Sequence, residues 1–153
     1  MAPIFSPKVY TGIDISTDRI NEALEKYPGY DFRICSIFNP EFIKFCQQTE
    51  FFFCAAVLHH FSNSECCRLF NTIKTYSPRQ AVFIVLEPYR PDNFRQNPFS
   101  AIMARLDRGK YVRTKDEWLD LFGKNLKEVV YLKGKRNWPV DGAIYVLKFS
   151  KSH

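Results

Sequence analysis

Four short apolar segments, separated by stretches of helical periodicity, constrain this chain more than any other feature. The first, VYTGIDI (residues 9–15), has the β-branched and aromatic character of a strand. Ser16 or Thr17 then offers an N-cap, and Ile20, Ala23, Leu24 and Tyr27 fall at i, i+3, i+4 and i+7 before Pro28-Gly29. That spacing predicts an amphipathic helix and its stop. YDFRIC (30–35) reads as a second strand, and Phe42, Phe45 and Cys46 predict a one- or two-turn helix over 40–48. EFFFCAAVL (50–58) is apolar after its first residue, as expected of a central parallel strand covered on both faces, and His59-His60 follow at its carboxyl end. Ser62 to Ser64 can cap a helix whose Cys66, Leu69, Phe70 and Ile73 form one stripe, and QAVFIVL (80–86) is a fourth strand ending in Glu87-Pro88. Strands alternating with helices predict an α/β domain with a parallel sheet and right-handed crossovers.

The end of the chain breaks that alternation. After the polar loop YRPDNFRQNP, residues Phe99, Ile102, Met103 and Leu106 predict a helix closed by Gly109. Thr114 and Glu117 form a capping box for another, which carries Trp118, Leu121 and Phe122 and ends at Gly123. Segments 128–132 and 143–149 then read as strands joined by KGKRNWPVDG with no helix between them, which predicts an antiparallel pair.

Length and composition fit a single packed domain over residues 1–153, with 46% apolar and 16% aromatic residues. The runs FFFCAAVL and AVFIVL fall far short of the ~20 residues that cross a bilayer, and MAPIFSP lacks the basic start and long apolar stretch of a signal peptide. The five cysteines are an odd number set in apolar patterns, which suits reduced core thiols, so the expected compartment is the cytoplasm and no membrane partner is expected. Net charge is +6, and residues 105–136 hold ten Lys/Arg against five Asp/Glu, a mild pull toward anionic partners.

With VYTGIDIS and its helix, EFFFCAAVLHHF, AVFIVLEP and the terminal strand pair in this order, residues 8–150 resemble the class I S-adenosylmethionine-dependent methyltransferases. LDRGKYVRTKDEWLDLF resembles the segment before the sixth strand in members acting on small molecules or sugars. The resemblance implies a Rossmann-like, mostly parallel sheet with an antiparallel last strand and helices on both faces. It also implies S-adenosylmethionine as the methyl donor. The family's donor site opens with a glycine-rich loop after a first strand, and glycines let backbone N–H groups approach a ligand closely. Here the glycines stand at 12, 29, 109, 123, 134 and 142, and no two are two residues apart. The expectation is therefore a carboxyl-terminal portion lacking the first βα unit, with weak or absent donor binding by this chain alone. The flank of strand 9–15 would be left open for pairing, which offers a route to self-association.

Asp14 matches the family's acid that accepts both ribose hydroxyls of the donor, a task suited to two carboxylate oxygens; the other reading is a helix-start acid favoured by the dipole. Ile15 would touch the adenine ring or simply pack in the core. Ser36, with Ile37 beside it, stands where the family places an acid for the adenine amino group. His59 and His60 fall where members line the floor between donor and acceptor. A histidine there can act as general base, with His59 the better placed; alternatively the two form a hydrogen-bonded structural pair. Glu87, Tyr89 and Arg90 could meet an acceptor at the rim. Arg105, Arg108, Lys110 and Arg113 could grip anionic groups or form a solvated basic face. Adjacent pairs such as His59-His60 and Cys66-Cys67 lack the spacing of zinc ligands, so no metal is expected.

The first functional expectation is methyl transfer to an oxygen or nitrogen of a small, anionic or sugar-like acceptor, impaired by loss of the glycine-rich loop. The second is a non-catalytic scaffold or partner subunit of the same fold, and the third is nucleic-acid binding through residues 105–136.

Overall fold

The computed structural model describes residues 6–91, 98, 102, 109–124, 126, 128–133 and 142–149. The chain divides into two compact units, residues 1–45 and 46–153.

In the first unit a 3-10 turn, Pro7–Val9, leads into β1, Thr11–Asp14. Ser16 caps α1, Thr17–Lys26, by accepting from the Arg19 N–H, and the apolar stripe buries Ile20. Strand β2, Asp31–Ile34, pairs parallel with β1, placing Asp14 beside Ile34. The rings of Tyr10, Tyr27, Tyr30 and Phe32 meet edge-on or tilted at centroid distances of 5.9–6.3 Å, a geometry favoured by the ring quadrupoles. Gly12 is required here: a Cβ would stand 2.6 Å from Cδ1 of Phe32. Helix α2, Glu41–Gln48, runs across the boundary between the units.

The second unit holds a four-stranded sheet in the order β3-β4-β6-β5, formed by Phe51–Ala55, Val82–Pro88, Gly142–Lys148 and Glu128–Lys133. Strands β3 and β4 are parallel, and β6 runs antiparallel to both β4 and β5. Three strands thus point one way and the last one back, as the sequence predicts. Helix α3, Asn63–Tyr76, begins with a full capping box between Ser62 and Glu65. Helix α4, Lys115–Gly123, begins with the Thr114–Glu117 box. The 99–109 helix expectation lies almost wholly outside the described residues; Ile102 within it is helical.

Strand alternation and register give this sheet two unlike faces. One carries Phe83, Val85, Glu87, Ala143, Tyr145 and Leu147, all buried. Phe70 of α3 packs on Phe83, Phe122 of α4 packs on Tyr145, and the two helices meet through the Phe70 and Phe122 rings. Trp118 and Tyr145 are fully buried, each worth about 3 kcal/mol or more on truncation. The opposite face aligns Phe53, Ile84, Val146 and Val130 in one row and Ala55, Leu86, Ile144 and Leu132 in the next. There Phe51 is 70% exposed, Phe53 41%, Val130 42% and Leu132 51%. Among the described residues the expected covering of β3 on both faces is therefore not found: the face toward Phe52 and Cys54 is the packed one, Phe52 against Phe83.

Candidate functional site

The candidate residues fall at the carboxyl ends of strands in each unit, where open α/β sheets place their ligands. In residues 1–45, Asp14 ends β1, and its backbone carbonyl accepts from the Cys35 N–H just past β2. That bond brings Asp14 and Ile15 to the same sheet end as Ser36 and Ile37. Asp14 Oδ1 accepts from the Ser16 N–H at 2.9 Å, and Oδ2 lies 3.4 Å from the Arg19 guanidinium. Its carboxylate is partly open to solvent, so this end is lightly held. Ser36 Oγ accepts from the Phe38 N–H at 3.2 Å. Ile15 does not pack in the core: it is 74% exposed.

In residues 46–153 the strand ends are locked. Ala56, just past β3, adopts φ +53°, in the left-handed region, and its N–H donates to the Leu86 carbonyl at 2.8 Å. This kink turns three successive N–H groups, those of Val57, Leu58 and His59, toward one point. Such runs of backbone donors form an anion-binding concavity. Glu87, at the end of β4, fills it: Oε1 accepts from Val57 and Leu58 N–H at 2.8 Å each, and Oε2 accepts from His59 N–H at 3.3 Å. The His59 ring completes the set, with Nδ1 2.7 Å from Oε2. Four groups converge on two carboxylate oxygens, and the backbone ones can only donate. With Glu87 as the carboxylate, the ring meets Oε2 as the Nδ1–H tautomer.

Glu87 is thus not at the rim as the sequence suggests; it is 1% exposed and bonded to the turn that follows β3. His59 is likewise buried, at 3% exposure, within the turn Leu58–His60. His60 is exposed, its ring 4.2 Å from that of His59. Tyr89 is half-buried, and Arg90 is taken up by a surface pair with Glu117 at 2.8 Å.

Arg113 departs furthest from its sequence reading. Rather than lying on a basic face, it is buried beneath the His59 turn. Its Nε and Nη2 donate to Asn63 Oδ1 at 2.9 and 2.7 Å, Nη2 also to Phe61 O at 2.8 Å, and Nη1 to Tyr111 O and Leu58 O at 3.1 and 3.4 Å. The guanidinium also lies 4.5 Å from the Trp118 ring centroid, a cation–π contact. Arg105 and Arg108 lie outside the described residues, and Lys110 is exposed. Beside this cluster, with Sγ 3.8 Å from Leu58 O, the Cys66 thiol is pushed up to about 11 by burial; on α2 the Cys46 thiol, also by burial, is pushed to about 12.

No protein-family profile and no curated protein matches the chain. Solved structures do. The human N-acetylserotonin methyltransferase in complex with SAM superposes with a TM-score of 0.67 at 18% identity over 92% of this chain and 40% of that one. The CMeT domain of the citrinin polyketide synthase gives 0.65 at 16% identity over 94% and 39%. A putative O-methyltransferase from Nostoc punctiforme PCC 73102 gives 0.63 at 18% identity over 89% and 44%. The chain therefore has the fold of the class I S-adenosylmethionine-dependent methyltransferases. It spans about two fifths of the length of the first two of these proteins. No helix among the described residues is long and apolar enough to cross a membrane.

Proposed function

We propose that this chain carries the acceptor-activating part of a methyltransferase that acts on a hydroxyl or amine of a small molecule, with His59 as general base. The observation that supports it is the buried Glu87–His59 pair. A carboxylate that holds Nδ1–H leaves Nε2 as the basic atom, and it fixes the plane of the ring. The reaction asks little more of the protein. The sulfonium of a bound donor supplies the activated methyl, so the chain must align the acceptor, take up its proton at Nε2 and keep water away. Delivery of the acceptor to the ring edge opposite Glu87 is the step this role requires.

Toward the donor the residues fit in part. Asp14 offers two carboxylate oxygens at a strand end, and the exposed Ile15 offers an apolar surface for a flat base. Ser36 already accepts from Phe38, and the sequence has no closely spaced glycine pair to cradle the amino-acid end. Donor binding by this chain alone is therefore weak in this reading. Transfer of a labelled methyl from S-adenosylmethionine, at millimolar donor, to small hydroxyl or amine acceptors tests it. The expected result is slow turnover that His59→Gln lowers by about 10²–10⁴-fold; equal turnover by the variant overturns it.

A second reading, a non-catalytic partner subunit, is favoured by the exposed apolar rows on the sheet of residues 46–153. It is also favoured by the second edges of β1 and β3, which have no strand partner among the described residues. Light scattering at high concentration checks it, since a strict monomer argues against self-association through these surfaces.

A further inference from the structure

We propose that Arg113 is a positioning residue for His59, a role that rests on reading His59 as the base. The bonding pattern of the guanidinium points to it. Among the described residues no carboxylate lies within ion-pair distance of Arg113, and the acceptors this buried cation uses there are all neutral. All five of its N–H bonds are used. A buried charge is tolerated only when its donors are satisfied, so the acceptors are held as tightly as the cation.

Two of those acceptors bracket the base. Leu58 O precedes His59 by one residue, and Phe61 O follows it by two. A third, Tyr111 O, belongs to a segment that returns the grip, because the Tyr111 N–H donates to the His59 carbonyl at 2.9 Å. The turn is therefore fixed from two sides: the Glu87 carboxylate takes its N–H groups and the Arg113 guanidinium takes its carbonyls. Glu87 holds the ring nitrogen and the N–H side of the turn; without Arg113 the carbonyls of Leu58 and Phe61 would lose their donors and that side of the turn could tilt. With both in place the ring has one position and one tautomer. A lysine cannot reproduce this, since it lacks the planar fork that spans Asn63, Phe61 and Leu58 and the flat face that lies on Trp118.

The chain has three histidines, so their ring ¹⁵N resonances can be assigned individually. The wild-type chain should show His59 almost wholly in the Nδ1–H tautomer. In Arg113→Met that form should fall to a mixture of tautomers, and addition of methylguanidinium should restore it. Asn63→Ala, which removes a surface side chain that accepts two of the five bonds, should shift the tautomer ratio the same way by a smaller amount. It serves as the test if Arg113→Met does not fold. A folded Arg113→Met, or a folded Asn63→Ala, with the wild-type His59 spectrum overturns the positioning role and leaves the Glu87–His59 base intact. A wild-type ring not held as Nδ1–H overturns the base reading itself, and the role of Arg113 with it.

Discussion

The two sets of strand ends are built to different standards. In residues 1–45, Asp14 and Ser36 each hold one nearby backbone N–H and stay partly open to solvent. In residues 46–153, Glu87 alone takes three backbone N–H groups and a ring nitrogen, and Arg113 uses every donor it has. The first arrangement suits groups that must exchange solvent for a ligand's hydroxyls. The second suits a group that must already be in place when the ligand arrives, since a site that reorganises during reaction gives up part of its electrostatic advantage.

Removing Glu87 should break the second arrangement outright. Glu87→Ala leaves three buried or half-buried N–H groups and a ring nitrogen without their acceptor, each costing about 1–3 kcal/mol. The expected loss exceeds about 4 kcal/mol, read as the shift in urea midpoint, and a loss below about 1 kcal/mol would mean the turn does not depend on the carboxylate. Gly12→Ala is the strongest probe of the first region. Its methyl would overlap the Phe32 ring, and overpacking of this kind costs about 1–3 kcal/mol. The loss should appear in the near-ultraviolet signal of the tyrosine cluster.

Alkaline pH should test the burial of the thiols in residues 46–153. The Cys66 and Cys46 thiols, raised from 9.0 to about 11 and about 12 by burial, stay protonated in the folded chain where the unfolded chain has ionised. Between about pH 9 and these values the unfolded state binds fewer protons, so stability falls as pH rises. Stability of residues 46–153 should decline from about pH 9 upward; a rise over that interval would contradict the burial. The smallest effect belongs to Asp14→Ala. It removes one part-buried, cap-like bond and a pair with the exposed Arg19, worth about 1 kcal/mol. In the proposed function it also weakens adenosylhomocysteine binding in calorimetric titration.

Much of this contrast can be traced in the sequence. The Thr114–Glu117 capping box, a cap among Ser62 to Ser64, the helical stripes and the alternation of strands with helices follow from local spacing, because caps and amphipathic faces are decided within a few residues. The inward direction of Glu87 was also encoded: it continues the alternation of Phe83 and Val85, both buried, and only its charge argued for the rim. Arg113 gave no such signal. No periodic neighbours fix its direction, and apart from Tyr111 O its acceptors lie 50–55 residues away, at Leu58, Phe61 and Asn63. The open face of β3 was hidden for a different reason. Three consecutive phenylalanines read as buried on both sides, yet burial of an alternate face depends on what is packed against it, and here Phe51 and Phe53 have little.

Native-state hydrogen exchange of the Val57, Leu58 and His59 amides tests the central claim most directly, namely that a filled carboxylate nest holds His59 rigid before any ligand binds. These three should exchange only through the global unfolding of residues 46–153, while the Ser16 and Phe38 amides exchange through local opening. Exchange of the Leu58 and His59 amides as fast as that of Ser16 would contradict it.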